Sequence, residues 1–234
     1  MTEAGELPVN VWVWDLDISQ QQARQLAECL SEDEIGRADR FATAELRRRW
    51  ISGRAGMRNI LASSLGVPAS RLVFEAGPHG RPSLSGLDCP FSFNLSHSAN
   101  LAAFAICRAP VGIDVEEIKA LPEGVAKMMF SAPEVAALEA VSDDKQAHAF
   151  FRYWTAKEAI LKARGTGLSV SGRSFTIDIA QQDAPRLVTA DWEDGEASPW
   201  RLLAFDPRPG FSGAVAVRTP RPLRLDFQPW PVDV

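Results

Sequence analysis

Cysteine and long hydrophobic runs are scarce in this sequence, and nothing in it reads as a signal peptide. The longest clear apolar run, Leu101–Cys107, is far shorter than a bilayer requires, and the first ten residues lack the basic and apolar regions of a secretory signal. Cys29, Cys89 and Cys107 are odd in number and widely spaced, which suits reduced thiols better than disulfides or a zinc site. We therefore expect a cytoplasmic protein without a membrane partner.

Several nucleotide-binding and hydrolase motifs are absent as well. The sequence has no Walker A loop, no G-x-G-x-x-G, no G-x-S-x-G and no H-E-x-x-H, so P-loop, Rossmann, α/β-hydrolase and zincin chemistry lack their signatures. The formal net charge is −5, although arginines crowd residues 37–58. A duplex-binding protein is normally basic overall, so this local charge favours a compact anion over nucleic acid, with a solvated helix face as the alternative.

Composition and the order of local patterns predict an α+β fold. The 234 residues are 46% hydrophobic and 24% charged, enough for one large domain or two small ones. The patterns predict helices at 19–30, from 31, at 43–65, 131–141 and 144–164, and strands at 9–15, 72–75, 91–95, 101–107, 111–117, 175–179, 200–205 and 213–218. The predicted helix ends are caps at Ser19 and Thr43, capping boxes at residues 31–34 and 131–134, and a stop at Gly165. This order predicts two halves, residues 1–110 and 111–234, that meet near Pro110.

Two acids share one face of the strand predicted at 111–117. Successive strand side chains point to opposite faces, so Gly112, Asp114 and Glu116 lie together. An ordinary half-buried strand with solvated acids is one interpretation. A hard-cation site is the other, because oxygen ligands around a divalent ion would relieve the repulsion between the carboxylates. Two carboxylates rarely hold such an ion alone, so this second interpretation requires a third ligand.

Glu158 is the candidate third ligand. It falls on a helical stripe with Phe151 and Trp154, where a buried carboxylate is unfavourable unless it is paired or bound to a cation. An intrahelical ion pair with Lys162 is the simpler explanation, but it leaves the strand acids unexplained. If Glu158 packs over the strand, the three acids converge, and Gly112 is the gap that permits a close approach.

Positive charge accompanies these acids. Lys157, Lys162 and Arg164 lie on the same predicted helix as Glu158. Acids flanked by cations suit magnesium with a phosphate ester, because the ion bridges phosphate oxygens while Lys and Arg neutralise the remaining charge. The pattern therefore predicts a polyphosphate ligand.

Two motifs occur in order along the chain, V-G-I-D-V-E at 111–116 and W-T-A-K-E-A-I-L-K at 154–162. Together they resemble the paired signature of Sfp-type 4′-phosphopantetheinyl transferases. G-R-P at 80–82, F-N-L-S-H-S at 93–98 and G-T-G-L at 165–168 resemble further segments of that family, except that Arg81 stands where lysine is usual. The resemblance implies the family's α+β fold, with two similar α/β halves in a pseudo-twofold arrangement, in a monomer.

The resemblance also implies a reaction and its residues. The phosphopantetheine arm of coenzyme A would pass to a serine of an apo acyl or peptidyl carrier protein, with Mg²⁺ (or Mn²⁺), releasing 3′,5′-ADP. The implied roles are Asp114, Glu116 and Glu158 as metal ligands, Lys157 and Lys162 as contacts of the coenzyme A phosphates, Arg81, Ser96 and His97 as contacts of the nucleotide and its 3′-phosphate, and Arg49 as a further contact in the first half.

A mechanism follows from these roles, with Asp114, Glu158 and Lys162 as the catalytic residues. Glu158 is the candidate acceptor of the serine proton, because its apolar stripe should make it more basic than an exposed acid. Lys162 would assist on the leaving side. The run Met128–Phe130 is a candidate carrier-docking surface, with core packing as the alternative. Two other functions stay open: a non-catalytic coenzyme A-binding regulator and a magnesium-dependent phosphohydrolase.

Overall fold

The computed structural model describes residues 5–77, 80–121, 124–181, 183–192 and 199–230, and of Leu168 only the backbone. The helices are α1 (Gln20–Ala27), α2 (Glu32–Ala38), α3 (Ala44–Leu65), α4 (Val125–Met129), α5 (Ala132–Glu139) and α6 (Asp143–Arg164). The strands are β1 (Leu7–Asp15), β2 (Val73–Ala76), β3 (Pro82–Ser85), β4 (Ser92–Ser98), β5 (Leu101–Cys107), β6 (Val111–Glu117), β7 (Phe175–Asp178), β8 (Arg186–Ala190), β9 (Trp200–Phe205), β10 (Phe211–Arg218) and β11 (Leu223–Phe227). The α+β prediction is therefore confirmed.

Two sheets form the centre of the protein. One has the strand order β11-β1-β5-β4, and the other has the order β6-β10-β9. Each sheet is accompanied by one long helix of 22 residues, α3 in the first half and α6 in the second. The pairs β2-β3 and β7-β8 form two further small sheets. Each half thus combines a largely antiparallel sheet with one long helix, in agreement with the prediction of two similar halves.

Predicted helix ends agree with the capping geometry. Ser19 and Ser31 begin α1 and α2 with reciprocal capping boxes, and Thr43 caps α3. Ser131 and Glu134 form the second of the two predicted capping boxes, at the start of α5. Gly165 ends α6 in the left-handed region at φ 70°, which glycine adopts without strain. Side chains and amides close in sequence determine these ends, so local patterns were sufficient to predict them.

Four described elements were not predicted: α4, β3, β8 and β11. Of these, β11 matters most for the division of the chain, because it returns to the first sheet and pairs in parallel with β1, Leu223 opposite Leu7. Trp230 then packs on Trp14, with ring centroids 4.5 Å apart. The connection at Pro110 does separate β5 from β6, but a division there also separates β11 from the sheet that it completes.

The core that joins the sheets uses the apolar face of β6. Val111, Ile113 and Val115 are fully buried in one cluster with side chains of β1, β5 and β10. The opposite face of β6 packs against α6. The alternation read from the sequence therefore places one face of β6 in the core and turns Asp114 and Glu116 toward the long helix.

The edge strands β4 and β6 belong to different sheets and meet through side chains. Four amides of β6 each donate to a polar side chain of β4: Val111 N to Ser92 Oγ (3.3 Å), Ile113 N to Asn94 Oδ1 (2.9 Å), Val115 N to Ser96 Oγ (3.3 Å) and Glu117 N to Ser98 Oγ (3.1 Å). We call this row the β4–β6 seam. It satisfies amides at the edge of β6 and links the two halves of the chain.

None of the helices within the described ranges combines the length and the apolar character needed to cross a bilayer.

Candidate active site

A pocket of about 330 Å³ opens where the β4–β6 seam meets α6. Its walls come from β4, β6, α4 and α6: Leu95, Ser96, His97, Asp114, Glu116, Met129, Trp154, Glu158 and Lys162. The pocket therefore combines the three predicted acids with Lys162, Ser96 and His97. These six residues come from three separate motifs of the sequence, at 93–98, 111–116 and 154–162.

Gly112 explains how α6 comes so close to β6. A Cβ atom at this position would lie 2.1 Å from the carbonyl oxygen of Ala159 and 2.5 Å from the amide nitrogen of Ala163. The predicted gap is confirmed, and the backbone of α6 fills it. Because Trp154, Glu158 and Lys162 follow one another at intervals of four residues, they line the pocket from one face of that helix.

Asp114 is the most buried of the three acids, with 2% of its surface exposed. Its Oδ1 accepts hydrogen bonds from Ser96 Oγ at 2.8 Å and from Lys162 Nζ at 2.6 Å. Burial raises the pKa of this carboxyl group, and the Lys162 ammonium opposes that rise. Within the described residues, Asp114 Oδ2 is buried with no hydrogen-bond partner. A carboxylate oxygen in this position is suited to bind a cation.

Glu116 and Glu158 complete the acidic wall. Burial raises the pKa of both carboxyl groups, and the charge of Asp114 raises them further. Ser98 Oγ donates to Glu116 Oε2 at 2.5 Å and opposes the rise for that residue. The prediction that Glu158 is more basic than an exposed acid is thus confirmed in direction.

The acids fit a divalent cation in chemistry. As the side chains stand, no three His, Cys, Asp or Glu residues of the described ranges are arranged to enclose an ion. Three carboxylates in one pocket, one of them with a buried oxygen that lacks a partner among the described residues, are nevertheless the donor set that Mg²⁺ prefers. Lys162 is the cation that contacts Asp114 in this arrangement.

His97 belongs to the same pocket through β4. The residue keeps an exposed surface, but its partial burial at the pocket wall lowers the pKa of its imidazole, and the nearby charge of Lys162 lowers it further. The ring is therefore held toward its neutral form, in which one nitrogen donates and the other accepts a hydrogen bond.

Lys157 lies outside this pocket, in a buried polar cluster. Its Nζ donates to the carbonyl oxygens of Gly172 and Phe175, both at 2.6 Å, and it pairs with Glu134 Oε2 at 2.9 Å. An ammonium group has three donors, and these partners use all of them. The expected contact between Lys157 and a coenzyme A phosphate is therefore not supported by its position.

Arg81 also has its donors engaged inside the protein. One terminal nitrogen donates to the carbonyls of Lys162 and Ala163, and the other to Ser92 Oγ and the carbonyls of Phe93 and Val111, all at 2.7–3.1 Å. The guanidinium thus connects the end of α6 to β4 and β6. This placement does not support the expected contact with the 3′-phosphate.

The remaining predicted cations also lie outside the pocket. Arg49 binds both carboxylate oxygens of Asp17, at 2.6 and 3.1 Å, and contacts Glu45 at 2.7 Å. Arg164 stacks on the ring of Trp192, 4.0 Å from its centroid. Lys162 is therefore the predicted helix cation that lines the pocket.

Some residues at the site were missed by the sequence interpretation. Ser98 holds Glu116, and Leu95 lines the pocket. The available signal was the polar residue at every second position of β4, Ser92, Asn94, Ser96 and Ser98. In the structure this alternation marks a strand whose polar face holds the neighbouring strand β6.

Comparison with known proteins agrees with this geometry. Residues 110–216 match the model of the 4′-phosphopantetheinyl transferase superfamily, and residues 14–108 match that of the 4′-phosphopantetheinyl transferase N-terminal region. The 4′-phosphopantetheinyl transferase HetI of Nostoc sp. is 36% identical over 89% of this chain and 87% of its own length. The chain belongs to the 4′-phosphopantetheinyl transferase superfamily.

Other relatives of this transferase carry the same activity in their names. The 4′-phosphopantetheinyl transferase psf-1 of Bacillus pumilus is 32% identical over 86% of this chain and 84% of its own length. Sfp of Bacillus subtilis is 27% identical over 88% and 90%. The solved holo-[acyl-carrier-protein] synthase of Thermotoga maritima matches 50% of this chain and 64% of its own, at 23% identity and a TM-score of 0.40. The predictions of a transferase enzyme and of its family are confirmed.

Proposed function

We propose that this transferase moves the 4′-phosphopantetheine arm of coenzyme A to a serine hydroxyl of an apo acyl or peptidyl carrier protein. The observation that carries the proposal is the single pocket in which Asp114, Glu116, Glu158 and Lys162 meet. One buried acid, two half-buried acids and a lysine in one cavity suit the pyrophosphate of coenzyme A together with a cation. The other product is 3′,5′-ADP.

The carboxylates of Asp114, Glu116 and Glu158 would hold Mg²⁺, and Mn²⁺ fits the same oxygen ligands. When bound, the ion supplies charge neutralisation and polarises the phosphoryl oxygens. The buried Oδ2 of Asp114, without a partner among the described residues, supports this assignment. The raised pKa values of the three carboxyl groups support it too, because burial disfavours their charged forms and a nearby cation would offset that cost.

The protein's own groups carry the remaining steps. The carrier serine oxygen attacks the β-phosphorus of coenzyme A, and the bond from that phosphorus to the oxygen of the 3′,5′-ADP leaving group breaks. Glu158 accepts the serine proton, because burial raises its pKa and makes it a stronger base than an exposed glutamate. Lys162 neutralises charge on the phosphate oxygens, and the imidazole of His97 donates a hydrogen bond to them. His97 is the nucleotide-side contact that the first half of the chain contributes.

The carrier protein would approach at α4, beside the pocket. Met128 is 72% exposed, and its neighbour Met129 lines the pocket. Phe130, by contrast, is 1% exposed and belongs to the core of the second half. The proposed docking surface is therefore reduced to the two methionines, whose flexible side chains suit an apolar partner helix. We further propose a monomer in the cytoplasm.

Intact mass of an apo acyl carrier and an apo peptidyl carrier, after incubation with the protein, coenzyme A and Mg²⁺, tests the function. We expect a gain of one phosphopantetheine arm, lost in Asp114→Ala and kept in Glu139→Ala, which changes an exposed acid of α5. Coenzyme A binding without any gain would identify a binding regulator instead. Release of phosphopantetheine without a carrier would identify a phosphohydrolase.

The role of Glu158 has its own test. Glu158→Gln keeps the shape of the side chain and an oxygen ligand but removes the base. We expect kcat to fall by roughly 100-fold or more, the range for loss of general base catalysis. Turnover at the wild-type rate in saturating Mg²⁺ would rule out Glu158 as the proton acceptor.

A further inference from the structure

Gly172 lies where the chain turns from α6 toward β7, and its backbone contacts α4. A Cβ atom at this position would lie 2.4 Å from the carbonyl oxygen of Met129, closer than real Cβ atoms approach a neighbour. The residue is buried, and its φ lies outside the left-handed region. The space occupied by the Met129 carbonyl, and not a special backbone angle, is therefore what requires glycine here.

The carbonyl group of Gly172 is held by α6. Lys157 Nζ donates to this carbonyl oxygen and to that of Phe175, both at 2.6 Å. Lys157 is 3% exposed and Phe175 is 1% exposed, so both hydrogen bonds are shielded from water. Such bonds are strong because the ammonium is charged and the surroundings are poorly hydrated. The segment that begins at Gly172 is thus fixed to the helix that carries the pocket residues.

The chain that follows α4 is fixed to the same segment. Glu134 accepts the amide of Ser131 on one carboxylate oxygen and the amide of Ile177 on the other, both at 2.7 Å. Thr176 Oγ1 donates to Ser131 Oγ at 2.9 Å. Phe130, between α4 and Ser131, is 1% exposed and belongs to the core. The C-terminal end of α4 therefore has a defined position relative to β7.

The helix α4 is too short to determine its own position. It begins after Gly124, which has no side chain to cap it, and across its described residues, Val125–Met129, no side chain is fully buried. A helix of one or two turns is not stable alone in water, so α4 depends on contacts such as that with Gly172. Met128 is exposed on this helix and Met129 lines the pocket. The contact with Gly172 thus places the proposed docking surface relative to the pocket.

We propose that Gly172 is a positioning residue for the carrier protein: its lack of a side chain admits the carbonyl of Met129 and fixes α4 beside the pocket. This inference rests on the proposed function, because it takes α4 as the surface to which the carrier docks. The charged side chains of the pocket and the imidazole of His97 come from β4, β6 and α6. A displacement of α4 should therefore impair use of the carrier and spare that of coenzyme A.

Steady-state kinetics, with each substrate varied in turn, tests the inference. We expect Gly172→Ala to raise KM for an apo acyl carrier by roughly 10-fold or more, since a misplacement of about 1 Å costs up to about 100-fold. KM for coenzyme A should stay at the wild-type value. An unchanged KM for the carrier would overturn the inference, and so would an equal loss toward both substrates, which indicates a general structural role.

Gly36→Ala is the matched control for these kinetics. It adds the same methyl group at a position where a Cβ meets nothing within 4 Å, in a helix of the first half. Both KM values should remain those of the wild type. Thermal unfolding of the two variants confirms that the measured proteins are folded.

Hydrogen exchange of the α4 amides supplies a test that does not need a folded variant. In the wild type, Met128 N donates to the carbonyl of Gly124 at 3.3 Å and Phe130 N to that of Ala126 at 2.8 Å. We expect these amides to be protected in the wild type and to exchange faster in Gly172→Ala, with the amides of α3 unchanged. Exchange at the rate of an unstructured chain in the wild type would overturn the inference.

Met128→Glu separates a failure of the inference from a failure of the proposed function. A charge on an apolar docking surface should raise KM for the carrier whether or not Gly172 positions α4. If Met128→Glu raises this KM and Gly172→Ala does not, only the positioning role is overturned. If neither variant raises it, the carrier does not dock at α4, and the inference fails with that part of the proposed function. A wild-type protein that modifies no carrier would overturn the proposed function itself.

Discussion

Lys162 Nζ lies 2.6 Å from Oδ1 of Asp114, so that α6 and β6 meet in an ion pair inside the pocket. The side chain of Asp114 is 3% exposed and that of Lys162 is 27% exposed. The ammonium also donates to Ser96 on β4. A single lysine therefore contacts a strand from each half of the protein, and it does so at the proposed reaction centre.

Removing this cation should impair catalysis. We expect Lys162→Met to lower kcat/KM for carrier modification by at least about 100-fold, because a charge placed at the phosphate contributes this much in comparable sites. Initial rates with saturating Mg²⁺ measure the effect. Lys145→Met, at an exposed position near the start of the same helix, is the control and should react at the wild-type rate. A Lys162→Met enzyme of normal activity would remove Lys162 from the mechanism.

A methyl group at Gly112 should push α6 away from β6. Because the added Cβ would meet backbone atoms of Ala159 and Ala163 at 2.1 and 2.5 Å, we expect Gly112→Ala to destabilise the protein by roughly 1–3 kcal/mol or more. Activity of the folded fraction should fall as well, since Glu158 and Lys162 move with the helix. Denaturant unfolding and transfer rates measure the two effects.

Gly36→Ala provides the matched control for Gly112. A Cβ at Gly36 meets nothing within 4 Å, and the residue lies inside α2. This substitution should leave activity unchanged and raise helix stability by a few tenths of a kcal/mol to about 1 kcal/mol. Equal stability losses in the two variants would contradict the close packing at Gly112.

Arg81→Lys should weaken the junction of the halves while leaving the charge in place. Lysine has three donors on one atom and cannot reproduce five hydrogen bonds from a planar fork, so carbonyls at the end of α6 lose their partners. We expect a loss of at least about 2 kcal/mol in the free energy of unfolding. Coenzyme A affinity should change little. A stable Arg81→Lys protein with altered coenzyme A affinity would instead support a direct phosphate contact.

Lys157→Met should lower the stability of the folded protein. Removing one partner of a buried pair leaves the other charge uncompensated, here Glu134 at 1% exposure, so we expect a loss of about 3–5 kcal/mol. The double variant Lys157→Met/Glu134→Gln should recover part of that loss, because it removes the uncompensated charge. The recovery should be incomplete, since glutamine keeps only one of the two acceptor oxygens that receive the amides of Ser131 and Ile177. If Lys157→Met is as stable as the wild type but binds coenzyme A weakly, Lys157 would instead be a contact of the coenzyme A phosphate.

Protonation of Glu34 should lower the stability of the protein in acid. Burial acts to raise the pKa of this carboxyl group, but the amide of Ser31 and the charges of Arg54 and Arg58 outweigh it, so the pKa lies below its ordinary value of 4.5. A depressed folded-state pKa contributes stability that is present above 4.5 and is lost as the pH falls through the folded value. Below pH 4.5 the unfolding free energy of the wild type should therefore decline.

Glu34→Gln isolates this contribution. The variant should be less stable than the wild type at pH 7, because Arg58, at 1% exposure, loses its anion. The difference should shrink as the pH falls below 4.5, since the wild-type carboxylate then becomes neutral as well. Denaturant unfolding at pH 7 and at several values below 4.5 measures the difference, with Glu139→Gln as the exposed control. A difference that is independent of pH would contradict the assignment.

The sequence by itself determined the features that depend on neighbouring residues. The capping boxes at Ser31 and Ser131 and the stop at Gly165 were predicted because a side chain or a backbone angle within one turn decides them. The alternation of β6 likewise predicted which of its residues face the core and which face the site. Motif order was enough to predict the family and the acids of the pocket.

Tertiary structure alone decided which charged residues enter that pocket. Lys157 and Lys162 are five residues apart, so they point about 140° away from each other around α6, and only packing determines which direction leads to the site. Arg81 and the seam serines find their partners on elements far away in sequence. Such hydrogen bonds have no local signature, because they exist only once β4, β6 and α6 have packed together. The pairing of β11 with β1 was likewise decided by the tertiary structure, because the residue pattern of a strand does not indicate which other strand it pairs with.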